Sequence, residues 1–357
     1  MLINFHGVGG REGLTLRTYI FKRIVICIFV LWIVATLNFA LFGTDPMADI
    51  FEVDFWGRTM DPNIKEMLIQ SYGTYGPLFY RYLCHLRNMF TYGLVPPYFG
   101  WSSLDWDFVS IGMSRRLPVT LALIGTSFAI TVTLGILIGV FTATKQGTRK
   151  DLMITASSAF TWSVSIIITA LMAKFIIIYL FRRCGILIFP VADLTSMPHP
   201  TGIALYADIA WHLTLPIMCL VMAGLGSWIL RTRGILLDAL TQDFISTAHV
   251  KGVSERAIAF RHAFKSVLPQ ISTMIASSVP ALITGNMIIE SIFQIEGIGN
   301  WYIKVVYPPF GMPVRLLDTA ATQAIFFIYA NLAVVLNLIA DIIYGIFDPR
   351  IRVGVRR

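Results

Sequence analysis

The residue types that most often perform chemistry in proteins are sparse in this chain. Its six histidines form no HxxxH or HxH pair, and its four cysteines form no CxxC pair, which argues against a metal or redox centre. The sequence also lacks a Walker-type glycine-rich phosphate loop. We therefore expect no catalytic residue, no metal and no cofactor bound by the chain itself.

Charged residues inside apolar segments are the next candidates, because a charge in a membrane usually couples an ion or pairs with another group. Lys174, Glu290 and Asp341 occupy such positions. We expect Lys174 and Asp341 to lie near helix ends, where they can reach the interface or form pairs. Glu290 is followed by Gly297 and Gly299, and it is expected to cap a half-helix or pair at an outer mouth rather than to couple protons.

Small polar side chains in two apolar segments could line a wet path for polar solutes. In the first segment, spacings of three and four predict one helical face that carries Thr155, Ser158, Trp162, Ser165 and Thr169. The candidate pathway residues from both segments are Ser158, Trp162, Ser165, Ser277, Thr284 and Asn286. Such residues also form helix–helix interfaces in membranes. We favour the interface slightly for the first segment and weigh the two evenly for the second.

A charged, amphipathic stretch between two long apolar segments covers residues 243–269, called the interhelical loop below. Ser254 is a suitable N-cap for a helix. After it, one apolar helical face is formed by Ala257, Phe260, Phe264 and Val267. Gly252 interrupts the pattern, which predicts two short helices hinged at that glycine. A surface helix in the lipid headgroup layer is the simplest alternative.

Composition indicates what kind of protein must position these residues. Of 357 residues, 56% are hydrophobic and 13% are charged, and the mean hydropathy is +0.71. That charged fraction is about half that of a soluble domain. Crossing a bilayer takes roughly 20 apolar residues. On this basis six spans are predicted, at residues 24–42, 117–143, 152–181, 212–230, 271–293 and 319–347.

The spans divide the chain into segments whose sides can be assigned by charge. Residues 1–23 and 348–357 are tails, 43–116 are a long external subdomain, and 117–347 are a core that contains a loop at 231–270. Of 28 lysines and arginines, 17 lie on the side of both termini and 10 on the other, so the termini and the loop are predicted to be cytoplasmic. The net charge of +8 then reflects topology, and no nucleic-acid partner is expected. Nothing in the sequence selects a bridge between Cys84 and Cys184.

The interhelical loop carries a resemblance. The run Ser246-Thr247-Ala248, followed by Gly252 and a distal Leu268-Pro269, resembles the cytoplasmic EAA loop of ABC-importer permeases. The fuller string DFISTAHVKG, with Arg-His-Ala nine residues after the glycine, is similar to the dipeptide, oligopeptide and nickel group. Ser246 stands where the general motif has Glu, and Glu296 stands where the group has Pro after Glu290.

This resemblance implies an all-α membrane protein with six transmembrane helices in the type I importer arrangement, and a long external loop between the first two. It would lie in the cytoplasmic membrane and pair with a second, related permease. One or two ATP-binding subunits would carry ATP and Mg, and an external solute-binding protein would deliver the solute. The residues implied to couple to the ATPase are Asp243, Ser246, Thr247, Ala248, Lys251, Gly252, Glu255, Arg256, Arg261 and His262.

The substrate and two rival functions stay open. The group implies peptides first, oligosaccharides second and nickel third. A stand-alone secondary transporter or channel would need no ATPase, but the few membrane charges and the large loop argue against it. A non-transporting scaffold could use the same loop for docking. If the loop couples to an ATPase, Gly252→Pro or Ala248→Asp should uncouple transport from hydrolysis.

Overall fold

The computed structural model describes residues 16–43, 61–63, 66, 76–91, 101–102, 104–105, 107–185, 188–196, 200–254, 257–307 and 318–347. Most of them are helical. The α-helices are α1 (Leu16–Asn38), α2 (Leu78–Phe90), α3 (Val109–Thr144), α4 (Arg149–Ser163), α5 (Ile166–Cys184), α6 (Ile203–Leu240), α7 (Asp243–Val250), α8 (Phe264–Ile292), α9 (Ile298–Val306) and α10 (Thr319–Phe347). π-Helical turns follow α1 (Phe39–Gly43) and precede α8 (Ile258–Ala263). Strands β1 (Trp101–Ser102) and β2 (Asp107–Phe108) pair antiparallel.

Four helical segments within the described ranges are each long and apolar enough to cross a bilayer. They are Ile20–Leu41, Val109–Thr144, Ile203–Leu240 and Ala320–Ile339. The bent pair α4–α5 makes a fifth when it is counted as one span. The predicted span at 271–293 falls in α8, of which Leu282–Ile292 qualifies as a shorter apolar helix. The protein is thus helical with four or five candidate spans, and the sixth span stays a prediction.

Two spanning helices begin earlier than the sequence predicted. α3 begins at Val109 instead of residue 117, and α6 begins at Ile203 instead of residue 212, so Pro118 and Pro216 lie inside helices. Each proline removes one backbone hydrogen bond. Neighbouring helices and side chains in a membrane protein can satisfy the freed carbonyl, so the helix need not start at the proline.

The predicted third span is not one straight helix. Val164 has extended backbone angles, and the Ser165 hydroxyl caps a new helix by accepting a hydrogen bond from the Ile167 amide at 3.3 Å. α4 and α5 consequently meet at an angle of 95°. The expectation that Ser158 and Thr169 share one helical face was therefore wrong, because a serine N-cap starts a second helix between them.

Helix α3 approaches α6 closely because two glycines of α3 lie at their contact. A Cβ atom on Gly135 of α3 would lie 2.5 Å from the Trp228 Cβ of α6, and one on Gly139 would lie 2.7 Å from the Thr232 Cβ. Small residues allow backbones in a membrane to pack at such distances. The α3–α6 pair therefore forms a rigid frame for the elements that follow.

The β-hairpin is tied to two spanning helices by polar contacts. Asp318 caps α10 by accepting a hydrogen bond from the Ala321 amide at 2.9 Å, and its other oxygen accepts one from the Ser102 hydroxyl at 2.6 Å. The Arg116 guanidinium of α3 donates two hydrogen bonds to Asp105, at 2.7 and 2.8 Å. These contacts fix the segment before α3 against α10.

Candidate functional site

The interhelical loop is held by apolar side chains at the ends of α3 and α6. Helix α6 runs to Leu240, so the first ten residues of the predicted loop at 231–270 continue that helix. Ile245 of α7 and Ile258 are then buried in a cluster that we call the loop anchor. Its other buried members are Val140, Ala143, Leu236, Ala239, Ala263, Val267 and Ile271. Burial of an isoleucine contributes about 1.5–3 kcal/mol, so α7 is firmly attached to α3, α6 and α8.

The opposite side of α7 is exposed and partly apolar. Val250 is 89% exposed, and Phe244 is also exposed, as is Phe260 in the following turn. Asp243 and Lys251 are exposed near the two ends of α7. The helix therefore presents a mixed apolar and charged surface on a fixed support.

Gly252 terminates α7 with a backbone angle φ of +74°, in the left-handed region. A Cβ atom there would meet no other atom within 4 Å, so the glycine is required by conformation and not by space. The expected hinge glycine thus directs the chain away from α7 by a left-handed turn.

Two short helices were predicted in the interhelical loop. The first is confirmed as α7, and the prediction of a separate second helix was wrong. α7 ends before Gly252, but the turn Ile258–Ala263 runs directly into α8. The physical reason is that Ala263 and Val267 continue one apolar face onto the loop anchor, so nothing ends the helix between them.

The coupling residues predicted from the sequence fall into three groups. Asp243, Thr247, Lys251 and Gly252 are exposed on or next to α7. The backbone of α7 and the following turn also carries Ser246, Ala248, Arg261 and His262, whose side chains lie outside the described part. Glu255 and Arg256 lie entirely outside the described residues. Their role in coupling stays a prediction.

An ion pair between a buried Asp151 and a half-buried Arg233, which sequence reasoning missed, joins α4 to α6. Arg233 donates to both carboxylate oxygens of Asp151, at 2.7 and 2.8 Å. The Gly147 amide and the Thr155 hydroxyl also donate to that carboxylate, at 3.0 and 3.2 Å. A bidentate pair of this kind fixes geometry as well as distance. The only signal for it in the sequence was an Asp in the first turn of α4 and an arginine near the end of α6.

At the other end of α8, Glu290 lies in a fully enclosed polar cage. Its side chain has 0% exposure. One carboxylate oxygen accepts hydrogen bonds from the Thr120 hydroxyl at 2.7 Å and from the Asn286 amide at 2.6 Å. The other accepts from the backbone amides of Gly299 at 2.7 Å and Asn300 at 3.1 Å. We call these groups the Glu290 cage.

The cage places a carboxylate at the N-terminus of α9, where unpaired amides and the helix dipole favour negative charge. Gly297 and Gly299 make room for it. A Cβ atom on Gly297 would collide with the Glu290 carboxyl group, and one on Gly299 would lie 2.6 Å from the Met287 Cα. The geometry is that of the helix cap expected from the sequence, whereas a position at an outer mouth stays a prediction.

The other two charges in apolar helices have partners. The Lys174 ammonium of α5 donates to the Ile292 carbonyl at 2.7 Å, at the C-terminal end of α8. Asp341 of α10 pairs with Arg23 of α1 at 3.3 Å. Both contacts match the expectation that these residues can form pairs.

The candidate pathway residues occupy different environments. Ser158 is buried where α4 meets Gly226 of α6, and Asn286 is buried in the Glu290 cage. Trp162, Ser165, Ser277 and Thr284 are exposed. The contact at Ser158 is a helix–helix interface, and a role in lining a path stays a prediction for the whole set.

No metal-binding cluster is found among the described residues, since no three His, Cys, Asp or Glu side chains converge there. Cys84 is buried, Cys184 is exposed, and both are unpaired. The polar side chains described above therefore form helix caps, ion pairs and the exposed surface of α7.

The sequence matches the family described as "Binding-protein-dependent transport system inner membrane component" over residues 135–353. That range contains the interhelical loop, the Asp151–Arg233 pair and every member of the Glu290 cage except Thr120.

Several curated proteins are similar along nearly their whole length. The oligopeptide transport system permease protein AppB of Bacillus subtilis is 30% identical, with 94% of this chain and 99% of AppB covered. The di/tripeptide transport system permease protein DppB of Pseudomonas aeruginosa is 27% identical, with 94% and 98% covered. The dipeptide transport system permease protein DppB of Bacillus subtilis is 25% identical, with 94% and 97% covered.

Proposed function

The chain belongs to the family of inner-membrane components of binding-protein-dependent transport systems, and from this membership we propose that it is a permease subunit of an ATP-driven importer for peptides or similar polar solutes. The names of relatives from Bacillus and Pseudomonas, all peptide permeases, support the substrate class. The role is transport and not catalysis, so ATP and Mg would be bound by a partner chain.

The proposed assembly follows from the family. This chain would pair with a second, related permease and form half of the pathway between them. One or two ATP-binding subunits would dock on the cytoplasmic side, and a solute-binding protein would dock on the outside. Six spans in the type I arrangement with both termini in the cytoplasm fit the charge distribution of the sequence.

The observation that carries the coupling proposal is the two-sided construction of α7. Ile245 fixes one side in the loop anchor, while Val250 and Phe244 are exposed on the other. An exposed apolar side chain on a short, firmly attached helix is suited to insertion into a groove on a partner. We therefore propose that α7 docks on the ATP-binding subunit.

Movement of the docked helix would reach the spans as rigid-body motion. The loop anchor ties α7 to α3, α6 and α8, and the Asp151–Arg233 pair ties α6 to α4. Packed apolar contacts and a bidentate ion pair transmit displacement instead of absorbing it. A shift of α7 would then move four helices together.

The test is a charge placed on the exposed side of α7. In proteoliposomes that hold the complete complex, Val250→Asp should lower ATP-dependent peptide uptake at least tenfold while the melting temperature changes little. Gln146→Asp is the matched control, because it adds the same charge at an exposed position in the turn between α3 and α4. Unchanged uptake by Val250→Asp would overturn the docking proposal.

The composition of the complex tests the broader proposal. Gentle purification through this chain should recover a second permease and one or two ATP-binding subunits, detected by mass spectrometry. If the chain alone, as a homo-oligomer, moves peptides across liposomes without ATP-binding subunits, it would be a stand-alone transporter. Uptake of oligosaccharides and not peptides by the complete complex would reassign the substrate only.

A further inference from the structure

Helix α2 exposes several large apolar side chains on one side. In its sequence LFYRYLCHLRNMF, Phe79, Leu83 and Phe90 are 70%, 47% and 45% exposed, and we call these three residues the outward stripe. Leu86, between them, is half-buried and packs against the core. The opposite side, buried or half-buried against the protein, carries the polar His85 and Asn88 together with the apolar Cys84 and Met89.

The inner side of α2 is attached to α1, and one end reaches α10. The Tyr82 and Thr36 hydroxyl groups share a hydrogen bond of 2.8 Å. The Phe39 ring contacts the rings of Tyr82 and His85, with both centroid distances at 5.3 Å. Phe90 meets Phe327 of α10 edge-on at 6.0 Å. These contacts fix which side of α2 faces outward.

The attachment points also set the depth of α2 relative to a membrane. Thr36 and Phe39 belong to the last residues of the apolar segment Ile20–Leu41. At 1.5 Å per residue they lie about 3 to 8 Å from the end of that segment. Interfacial helices bury their apolar side about 5–10 Å below the headgroup boundary. The outward stripe is therefore at the depth where headgroups meet acyl chains.

The part of α1 that lies next to α2 also exposes an apolar surface. Only 17% of the apolar window in Ile20–Leu41 is buried against the described part of the chain, and its exposed side includes Leu37 and Leu41, an apolar surface of the kind that acyl chains cover. The outward stripe continues that apolar surface. α2 contains no acidic residue, and the exposed side chains of Tyr80 and Arg87 flank the stripe, as residues that reach toward headgroups do.

We propose that α2 is a membrane-interface anchor whose outward stripe inserts between the headgroups and the acyl chains of one phospholipid leaflet. The anchor holds α2 itself against the bilayer surface. It requires no partner protein, and it is independent of the solute that the chain transports.

Spin labels can locate the outward stripe in the intact complex. The four native cysteines are replaced by serine or alanine, and single labels are attached to Phe79→Cys and Leu83→Cys variants reconstituted in phosphatidylethanolamine–phosphatidylglycerol liposomes. Collisions with oxygen, which concentrates in acyl chains, are compared with collisions with a water-soluble nickel chelate. A label at Leu37→Cys is the lipid reference, and one at the exposed residue Asn63→Cys is the water reference.

Membrane insertion predicts an oxygen-to-nickel collision ratio at Leu83→Cys and Phe79→Cys within about twofold of that at Leu37→Cys, and at least fivefold above that at Asn63→Cys. A ratio equal to that of Asn63→Cys would place the stripe in water and overturn the proposal. Low accessibility to both reagents would overturn it as well, since protein would then cover the stripe. Two labelled positions keep the test decisive if one variant does not fold.

Discussion

The two ends of α8 are built in opposite ways. At its first turns the loop anchor buries Val267 and Ile271 by apolar contact, and α7 next to it keeps an exposed outer side. Near its last turn the Glu290 cage closes around a carboxylate with 0% exposure and four hydrogen-bond donors. One end relies on non-directional packing, and the other on directional polar contacts.

This difference separates two mechanical roles along one helix. Apolar packing holds helices together through buried area and imposes no direction on the individual contacts. A dry hydrogen-bonded cage is directional, because each misaligned donor leaves a buried polar group unsatisfied. In the proposed coupling, the anchored end passes a shift of α7 to the spans through close packing, while the caged end holds α3, α8 and α9 in one arrangement.

Glu290→Ala should give the largest effect, since it removes the acceptor from four donors at once. Leaving buried donors unpaired costs about 3–5 kcal/mol in comparable cases. The expected result is a much lower melting temperature of the purified protein in detergent, or loss of folded protein. Glu296→Ala is the control, because Glu296 is exposed and should change stability by less than about 0.5 kcal/mol. Equal melting of the two variants would refute the cage as a structural element.

Gly297→Ala should destabilise by about 1–3 kcal/mol, because its Cβ would overlap the Glu290 carboxyl group. Backbone strain is not the cause, since Gly297 has an ordinary φ of −109°. The measurement is again the melting temperature. Combined with Glu290→Ala, the cost of Gly297→Ala should largely disappear, and a cost that persisted would show that the collision is not its source.

Gly252 provides the matched glycine at the anchored end. Gly252→Ala meets no neighbouring atom but keeps a φ of +74°, which costs about 1 kcal/mol for a residue with a Cβ. Gly252→Asn should recover part of this loss, because asparagine tolerates the left-handed region. If asparagine and alanine were equally costly, conformation would not be the reason for glycine there.

His85 extends the comparison, because it is a polar side chain with an incomplete set of hydrogen-bond partners. Burial lowers its pKa from the ordinary 6.5 to about 4, although the Ala35 carbonyl opposes the shift. Its Nε2 atom has no hydrogen-bond partner among the described residues. A folded-state pKa below the unfolded value means that its stabilising contribution is complete above pH 6.5 and is lost as the pH falls toward 4.

Between pH 7.5 and 5.5, this titration should lower the free energy of unfolding by roughly 1–1.5 kcal/mol. Thermal melting of wild-type protein should therefore fall more over that interval than melting of His85→Gln, which cannot titrate. The comparison with His85→Gln removes the contributions of the other histidines. Parallel falls in both proteins would mean that His85 is accessible to protons without any cost.

Residue patterns predicted the class of the protein well, because membrane spans depend on local composition. The apolar runs, the loop at residues 243–269 and the role of Gly252 follow from hydropathy, helical spacing and the conformational freedom of glycine. The bend between α4 and α5 was missed, since Ser165 fits a hydroxyl stripe and an N-cap equally well. The hydrogen bond from the Ile167 amide to the Ser165 hydroxyl, seen only in the structure, shows that Ser165 is an N-cap.

The sequence alone predicted a helical membrane protein with a charged loop before α8, because hydropathy and helical spacing can be read from consecutive residues. The tertiary structure decided which distant groups meet. Thr120 and Glu290 are 170 residues apart, and Asp151 and Arg233 are 82 apart. No local pattern encodes such pairs, since they arise when helices pack and each buried polar group must find a partner.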